Sequence, residues 1–287
     1  MSLSARIQQR IAARREKLVG QSSRYYAHAV RIVRKPSFLF VIGHMRSGSS
    51  LLTHILNSNP HVVGLGENHL SYWREKDLDQ CVANTMEILS RRDLRERYVL
   101  DKILHNQHSV SPCFLNDPRF RFIYILREPH GTLGSILRLS RTVPGFYWNN
   151  CDLAAKHYLR RLHQLAKLIQ QQRAHERAIV LTYEQLIHSS SETFLRLESF
   201  LGLTVPLREE YELMPTTGKP PFGDPGKAIK SGSIQRNKAK QSVVPFVPAD
   251  LLDECEHTFL ETLKVLSSHC ATAVREPEPR APLREAA

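Results

Sequence analysis

The feature that most limits the fold is a short apolar run, Phe38–Ile42 (FLFVI), which leads directly into a glycine-containing turn. A wholly apolar run of this length is typical of a strand buried on both faces of a parallel sheet. The turn, residues 43–48, reads GHMRSG, and apolar residues then recur at helical spacing as far as Asn59-Pro60. An Asn-Pro pair ends a helix. The stretch therefore predicts a strand, a tight turn and a helix.

The same alternation recurs along the chain. A second clear strand, Arg121–Leu126, leads into a helix whose first turn accommodates Pro129. Weaker strands are predicted at Val62–Gly64, Val99–Lys102 and Ala178–Leu181, and further helices at Asp152–Gln172, Ser191–Leu201 and Leu251–Ser268. Strands that alternate with helices predict an α/β fold, a single domain over residues 37–270 with a central parallel sheet flanked by helices.

Composition excludes several classes of protein. The chain has 287 residues, of which 41% are hydrophobic and 24% charged, so collagen, coiled coil and wholesale disorder are excluded. Five cysteines without a CxxC pair argue against a disulfide framework or a zinc ribbon. No apolar run reaches the roughly 20 residues of a membrane helix, and the first residues lack the apolar core of a secretory signal. We therefore expect a cytoplasmic protein.

The positive charge is concentrated at the N-terminus. Residues 1–36 contain nine Lys and Arg residues and one Glu, which is +8 of a total net charge of +12. This pattern predicts a basic helical arm, which either is a solvated helix or contacts an anionic membrane surface or nucleic acid. The last residues, 271–287, have too little apolar content to fold and are predicted to be a disordered tail.

The turn itself predicts an anion site. A glycine-containing turn at a helix N-terminus directs backbone N–H groups and the helix dipole towards one point. The spacing of Gly43 and Gly48 matches the frame of a nucleotide P-loop. However, Ser49 and Ser50 stand where a kinase or ATPase has a lysine followed by Ser or Thr, so the lysine that contacts the phosphates is missing. The cation lies inside the turn instead, at Arg46. This arrangement favours an anion handled without metal, whereas a P-loop kinase using Mg-ATP is the alternative.

The second strand–helix junction supplies further anion ligands. Arg127 ends the strand, and Ser135 follows eight residues later. Ligands of open α/β sheets bind at the carboxyl edge of the strands, so both side chains are expected near the turn. Arg127 offers a bidentate guanidinium for a phosphate group, and the Ser135 hydroxyl is one more donor.

Together these stretches resemble the sulfotransferases that use 3′-phosphoadenosine 5′-phosphosulfate (PAPS). The resemblance rests on MRSGSS (residues 45–50), REPHGTLGS (127–135), LTYEQLIHSSSETFLRLESFLGL (181–203) and NSNPHVVGLGEN (57–68), and it covers roughly residues 37–203. It implies the sulfotransferase variant of the P-loop NTPase-like fold. It also implies metal-independent in-line transfer of a sulfuryl group to an acceptor hydroxyl, with 3′,5′-ADP as the second product.

The resemblance also implies residue roles. Arg46, Ser47, Gly48, Ser49 and Ser50 would bind the 5′-phosphosulfate, Arg127 and Ser135 the 3′-phosphate, and Tyr183 the adenine. Arg46 would in addition stabilise the transition state, and Glu67 would act as general base. Glu67 lies 21 positions after Arg46, similar to the spacing in protein-tyrosine and some carbohydrate sulfotransferases. No metal ligand is implied.

The sequence leaves two assignments undecided: an alternative catalytic base and a further contact to the 3′-phosphate. Small-molecule sulfotransferases have a histidine base two residues after a lysine, whereas here Lys102 and His105 are one residue further apart. Both residues, and also His108, are thus either catalytic or structural. The basic stretch Lys227–Lys240 either binds the 3′-phosphate or is a solvated loop.

The acceptor is not defined by the sequence. His69, Tyr72, Trp73 and Arg74 follow Glu67 and are candidates to line a cleft. An arginine cluster is a candidate to attract an acidic acceptor or is a solvated helix face; it comprises Arg91, Arg92, Arg95 and Arg97. A carbohydrate, a lipid and a small metabolite are the expected classes of acceptor. A non-catalytic protein that binds polyanions or membranes on a sulfotransferase scaffold is the alternative from outside the enzymes.

Overall fold

The computed structural model describes residues 23–141, 143, 146–173, 175–219, 222–224, 226, 228–236 and 247–272. Most of the predicted basic arm (residues 1–22) and nearly all of the predicted tail (residues 273–287) lie outside the described residues. So do residues 227 and 237–240 of the basic stretch.

A six-stranded sheet forms the centre of the described chain. Its strands are β1 (Ser37–Gly43), β2 (Val62–Val63), β3 (Tyr98–Ile103), β4 (Phe120–Leu126), β5 (Ala178–Thr182) and β6 (Ala271–Thr272). The order is β2-β3-β1-β4-β5-β6, and every pairing is parallel. The predicted α/β fold with a central parallel sheet is therefore confirmed.

Helices connect the strands and cover both faces of the sheet. They are α1 (residues 23–34), α2 (Ser49–Asn57), α3 (Glu75–Ile88), α4 (Pro112–Leu115), α5 (Pro129–Ser140), α6 (Cys151–Gln170), α7 (Tyr183–His188), α8 (Ser190–Leu201) and α9 (Ala249–His269). Helix α8 ends before Gly202, which caps it with a left-handed φ of 61°. One predicted boundary is wrong: Ala271 and Thr272, assigned to the disordered tail, pair with β5.

Two hydrophobic clusters fill the space between sheet and helices. Successive residues of β1 point to opposite faces, so Phe40 and Ile42 belong to one cluster and Leu39 and Val41 to the other. Residues of α1, α3, α5, α6 and α9 complete the first cluster, whereas α2, α7 and α8 complete the second. This two-sided burial explains why the predicted strands are apolar throughout rather than alternating.

Strand β1 lies at the topological switch point of the sheet. The chain passes from β1 to β2 and β3 on one side, and then to β4, β5 and β6 on the other. At such a point the connections after neighbouring strands diverge and leave a crevice at the carboxyl edge, where ligands of open α/β sheets bind. The turn after β1 and the start of α5 therefore face the same crevice.

A buried arginine fixes the carboxyl ends of two neighbouring strands. Arg161 of α6 donates from Nε to the Gly43 carbonyl at 2.7 Å and from a terminal nitrogen to the Ile103 carbonyl at 2.6 Å. Its other terminal nitrogen donates to the Asn106 amide oxygen at 3.1 Å. The side chain is buried, and burial lowers the pKa of the guanidinium to about 10. Arg161 thereby satisfies the backbone carbonyls of the last residues of β1 and β3.

Helix α1 is attached to the domain by an ion-pair network. Arg31 donates from Nε to Asp79 at 2.7 Å and from a terminal nitrogen to Glu75 at 2.6 Å. Arg119 also pairs with Glu75, at 2.5 Å. Part of the predicted basic arm is therefore packed onto α3 rather than solvated along its whole length.

Three further findings concern the described residues. None of their helices has the length and apolar character required to span a membrane. Within the same part of the chain, no group of three His, Cys, Asp or Glu side chains has a metal-binding arrangement. All five cysteines lie in the described part of the chain, and no disulfide joins any two of them there.

Replacing Arg161 with methionine is expected to destabilise the fold by about 2–4 kcal/mol, because two buried carbonyls lose their donors. The measurement is urea unfolding followed by circular dichroism. Arg160→Met is the matched control, since Arg160 is the exposed neighbour on the same helix. An equal loss of stability in both variants would contradict the role assigned to Arg161.

Candidate active site

The turn after β1 is tightly constrained at its start and end. Gly48, which precedes α2, has a φ of 87°, a value that side-chain-bearing residues rarely adopt. A Cβ atom at this position would also lie 2.4 Å from the Tyr183 ring. Arg46 likewise has a positive φ of 67°. This local strain is of the kind found at ligand-binding turns, and it directs the Arg46 side chain towards the neighbouring helix α5.

Arg46 lies between a hydroxyl and a carboxylate. Its Nε donates to the Ser135 hydroxyl at 2.8 Å, and its two terminal nitrogens donate to the Asp224 carboxylate at 2.7 and 3.2 Å. The arginine thus holds an oxyanion in a two-point arrangement, which is the geometry that a guanidinium offers to a carboxylate, phosphate or sulfate group.

The segment 222–224 brings Asp224 to the turn. The Asp224 amide donates to the Ser50 hydroxyl at 3.2 Å, and Lys102 donates to the same hydroxyl at 3.2 Å. Burial alone would raise the pKa of the Asp224 carboxyl, but the charge and hydrogen bonds of Arg46 hold it below its ordinary value. Asp224 is therefore a carboxylate at neutral pH, an internal anion beside the helix N-terminus.

Arg127 is held above Tyr183 at the end of β4. Its guanidinium carbon lies 4.2 Å from the centre of the Tyr183 ring, a cation–π contact. A Cβ atom at position 131 would lie 2.8 Å from one of its terminal nitrogens, so Gly131 leaves room for the side chain. The Arg127 backbone N–H donates to His44 Nε2 at 3.0 Å. Because burial lowers the pKa of His44 to about 3, this ring is neutral and can accept that bond.

Glu67 is the buried carboxylate on the other side of the turn. Its Oε1 lies 3.6 Å from His69 Nδ1 and 3.6 Å from His105 Nε2, and its Oε2 lies 3.9 Å from Lys102 Nζ. Burial raises the pKa of Glu67, although the charge of Lys102 opposes this. Burial likewise lowers the pKa of Lys102, opposed by Glu67, and lowers that of His105 to about 4. Glu67 is therefore a buried carboxylate whose raised pKa makes it a stronger proton acceptor than an ordinary glutamate.

Three side-chain atoms of the site are buried without a hydrogen-bond partner among the described residues. They are Ser47 Oγ, Glu67 Oε1 and Arg127 Nε. A buried polar atom that lacks a partner costs free energy, so such atoms are uncommon in folded proteins. Three of them around one crevice indicate a site that a polar ligand completes.

A cavity of about 300 Å³ connects these groups. Arg46, Gly48, Ser49, Ser50, Glu67, Arg127 and Tyr183 line it, together with Lys102, His69 and His105. An apolar part, formed by Leu51, Ile187, Tyr211 and Ile229, lies on the side of the second hydrophobic cluster. The structure therefore brings most of the predicted site residues together at the carboxyl edge of the sheet. Ser47 and Ser135 do not line the cavity: Ser47 is buried in the turn, and Ser135 is bonded to Arg46.

Several residues predicted near the acceptor lie elsewhere. Tyr72 is buried and donates to Asp101, and Trp73 is exposed; neither lines the cavity. Arg74 is the N-cap of α3. The arginine cluster is not on a helix but in the connection before β3, at the amino edge of the sheet, where Arg97 donates to the Gly202 carbonyl. Of the four residues predicted to follow Glu67 into a cleft, His69 lines the cavity.

The described part of the basic stretch, residues 228–236, contributes mainly neutral groups. Ala228, Ile229, Ser233 and Gln235 line the cavity. Arg236 pairs with Glu209 and donates to the Ile187 carbonyl at 3.0 Å. Among the described residues, Arg236 therefore has a structural role.

Sequence reasoning missed Asp224, Arg161 and His44. Asp224 lies in a Pro- and Gly-rich loop, 178 residues after Arg46, and no local pattern connects the two. Arg161 interrupts the apolar stripe of α6, and a charged residue in such a stripe is a usable signal for a buried contact. His44 follows a buried strand directly, so its burial was also predictable.

Comparison with known proteins gives a family match and a similar solved structure. Residues 74–206 match the model of a family described as the sulfotransferase family. A search of curated proteins found no match. Among solved structures, the sulfotransferase domain from the curacin biosynthetic pathway aligns with 18% identity and a TM-score of 0.43, covering 81% of this chain and 97% of that one.

The match extends over slightly less than half of the chain, and this part, residues 74–206, is therefore similar to sulfotransferases. The matched region contains Arg127, Ser135 and Tyr183, whereas the turn after β1 and Glu67 precede it. The functions of individual residues therefore rest on the geometry described above.

Replacing Asp224 with asparagine is expected to strengthen the binding of inorganic sulfate about tenfold, because the competing carboxylate on Arg46 is removed. The measurement is isothermal titration calorimetry at constant ionic strength. Asp250→Asn, an exposed position in α9, is the matched control. Unchanged or weaker sulfate binding in Asp224→Asn would show instead that Asp224 orients Arg46 for its ligand.

Proposed function

We propose that this protein transfers the sulfuryl group of PAPS to the hydroxyl group of an acceptor. The observation that carries the proposal is the set of unpartnered buried atoms on both sides of Arg46, namely Ser47 Oγ, Glu67 Oε1 and Arg127 Nε. The first and third are donors suited to phosphate oxygens, and the second is an acceptor suited to a hydroxyl. A donor with two anionic groups and an alcohol would satisfy all three.

The residues of the cavity fit the two ends of the donor. The N–H groups and hydroxyls of Ser47, Ser49 and Ser50 would bind the 5′-phosphosulfate at the N-terminus of α2. Arg127 and Ser135 would bind the 3′-phosphate. Tyr183, at the first position of α7, would lie against the adenine, whose other neighbours would be apolar residues of the second cluster.

The reaction would form one bond to sulfur and break another. The acceptor oxygen attacks the sulfur atom while the bond from sulfur to the bridging phosphate oxygen breaks, and 3′,5′-ADP leaves with the electron pair. Arg46 and Lys102 would stabilise the negative charge that develops on the bridging and sulfuryl oxygens. Glu67 would accept the proton of the acceptor hydroxyl, and its raised pKa suits that role.

Glu67 is a better candidate for the base than His105. Burial lowers the pKa of His105 to about 4, so its ring is a weak base. Its Nε2 lies 3.6 Å from Glu67, and its ring stacks on Trp148 at a centroid distance of 6.1 Å. We propose that His105 positions Glu67 and forms one wall of the acceptor site.

The acceptor side of the cavity favours an uncharged alcohol. Met45, Leu104 and Leu139 are among the residues that line the cavity, and Lys102 is already paired with Glu67. The arginine cluster that was a candidate to attract an acidic acceptor lies at the opposite edge of the sheet. Of the expected classes, a lipid or small-metabolite alcohol thus fits better than an acidic carbohydrate.

A P-loop kinase using Mg-ATP is the less favoured enzyme. Ser49 stands where such an enzyme has the lysine that contacts the β- and γ-phosphates, and the nearest carboxylates of the cavity, Glu67 and Asp224, pair with cations. A non-catalytic scaffold is less favoured because the buried carboxylate Glu67 lines the same cavity as Arg46, Ser50 and Arg127, so that a proton acceptor and anion ligands face one space.

Contact with an anionic membrane surface is a separate proposal. The exposed side of α1 presents Tyr25, Tyr26, Ile32 and Val33, and the preceding residues are strongly basic. Aromatic and aliphatic side chains beside basic residues are typical of helices that lie on membranes. This contact would add attachment to the membrane without altering the chemistry at Arg46. We also propose a cytoplasmic location.

In a calorimetric titration in EDTA, the wild-type protein is expected to bind 3′,5′-ADP with micromolar affinity. Arg127→Ala should weaken that binding roughly a hundredfold, because a bidentate contact to the 3′-phosphate is lost. Arg121→Ala is the matched control, since Arg121 lies at the opposite end of β4. Binding of Mg-ATP in place of 3′,5′-ADP would favour the kinase, and binding of neither would refute both enzymes.

Glu67→Gln is expected to lower kcat by at least about a hundredfold while leaving the affinity for 3′,5′-ADP unchanged. In the wild type, kcat should fall as the pH drops through the raised pKa of Glu67, since the carboxylate form is the base. The measurement is transfer of labelled sulfate from PAPS to a panel of alcohols across pH. Glu87→Gln, an exposed glutamate of α3, should behave as wild type. An unchanged pH profile in Glu67→Gln would exclude Glu67 as the base.

A further inference from the structure

Helix α1 presents an apolar stripe to solvent. The stripe comprises the exposed residues Tyr25, Tyr26, Ala29, Ile32 and Val33. Their spacing places all five on one face of the helix, whereas Ala27 and Val30 on the other face pack into the first hydrophobic cluster. Val33 has 74% of its surface accessible and Tyr25 has 78%. Exposed apolar residues that form one continuous face, rather than scattered single ones, mark an interaction site.

The stripe borders the arginine cluster before β3. The Tyr26 hydroxyl donates to the Arg92 carbonyl at 2.8 Å, and Arg34, the last residue of α1, pairs with Asp93. The backbone N–H of Ser37, where β1 begins, donates to the Arg97 carbonyl at 2.8 Å. The end of α1 and the arginine cluster therefore meet at the amino edge of the sheet. We call the stripe, residues 34–35 and residues 91–97 together the amino-edge surface.

The amino-edge surface is positively charged. Its six basic residues are Arg34, Lys35, Arg91, Arg92, Arg95 and Arg97. Asp93 and Glu96 lie among them, and with the exposed Glu87 at the end of α3 they leave a net charge of +3. Residues 1–22, which precede α1 in the chain, carry a further +4. The partner that fits this surface is therefore an anion with an apolar region.

An anionic lipid bilayer meets both requirements. The apolar side chains of a surface helix enter the boundary between headgroups and acyl chains, while arginines attract the lipid phosphates. A second copy of this chain is disfavoured, because a symmetric dimer through this face would bring two positive surfaces together. Nucleic acid would attract the arginines, but its phosphate backbone offers no apolar environment for Ile32 and Val33.

We propose that the amino-edge surface binds anionic membranes, with the stripe in the lipid boundary and the arginine cluster on the headgroups. The inference rests on the membrane contact proposed for α1 and adds to it the arginine cluster, which does not line the cavity. It is independent of sulfuryl transfer. The crevice lies at the other end of the strands, about 20 Å away at roughly 3.3 Å per residue of β1. A helix buried by about 5–10 Å in the headgroup region leaves that crevice clear of the bilayer.

The experiment measures co-sedimentation of the full chain with vesicles of phosphatidylcholine, alone or mixed with phosphatidylglycerol. We expect the wild type to bind the mixed vesicles, and to bind them more weakly as the salt concentration rises. Arg92→Gln/Arg95→Gln should weaken this binding about thirtyfold, since each basic residue at an anionic surface contributes about fivefold. Arg92→Lys/Arg95→Lys should bind as the wild type does. Ile32→Ser/Val33→Ser should weaken binding at least about tenfold, because less apolar area leaves water.

The matched controls replace exposed residues on the opposite face of the sheet, where α8 and the chain after it pack into the second cluster. They are Arg196→Gln/Arg208→Gln and Leu195→Ser, and both should bind the mixed vesicles as the wild type does. Thermal unfolding shows whether each variant is folded. The affinity for 3′,5′-ADP, measured with and without vesicles, should be the same in the wild type and in all variants.

Wild-type binding of the mixed vesicles by both the Gln and the Ser variants would overturn the inference, as would equal binding of both kinds of vesicle by the wild type. If the Gln variant alone lost affinity, and the wild type bound duplex DNA more tightly than vesicles, the surface would be a nucleic-acid site instead. A dimer in sedimentation velocity that Ile32→Ser/Val33→Ser dissociates would show that a second copy covers the stripe. Failure of the wild type to bind 3′,5′-ADP would refute the proposed sulfuryl transfer and leave the membrane surface standing.

Discussion

The hydrogen bonds of Arg161 are the contact on which the geometry of the site depends. They join the ends of β1 and β3, and so set the position of the turn at Arg46 relative to Lys102 and His105. An apolar residue would leave two carbonyls unsatisfied at the point where the sheet opens into the crevice. The same guanidinium contributes positive potential at Glu67, which keeps the carboxyl pKa from rising further. One side chain of α6 therefore determines both the spacing and part of the electrostatics.

Local patterns were sufficient to predict the strands β1 to β5 but not the edge strand β6. The strands β1 and β4 are apolar throughout because helices cover both faces, and this burial is what the apolar runs indicate. The short strand β6 has no such pattern, since it is held by pairing with β5 alone. Helix α3 was also not predicted, because its mean composition is polar and its attachment to α1 through Arg31 depends on residues distant in sequence.

The residues of the candidate site likewise fall into those that local sequence patterns predict and those that they do not. The proximity of residues that lie just after a strand, such as Arg46 and Arg127, was predictable because parallel strands end at one edge of the sheet. Tyr72 was predicted to line a cleft, yet it is buried against Asp101, since the chain after Glu67 turns back over β3. Asp224 was unpredictable, because its position is fixed by contacts to Arg46 and Ser50 across the fold. Sequence motifs therefore identified the groups that we propose as anion ligands, but not the carboxylate that pairs with one of them.

The contact between Asp224 and Arg46 has a consequence for selectivity among anions. A carboxylate that is part of the chain is present at a high effective concentration, so a free anion that contacts Arg46 alone is at a disadvantage. Sulfate, phosphate and acidic metabolites would bind weakly despite their abundance. A ligand that also contacts Arg127 and the apolar part of the cavity gains the additional free energy needed to displace the carboxylate. The Asp224 carboxylate would thus disfavour simple ions that contact Arg46 alone and favour molecules that contact several parts of the cavity.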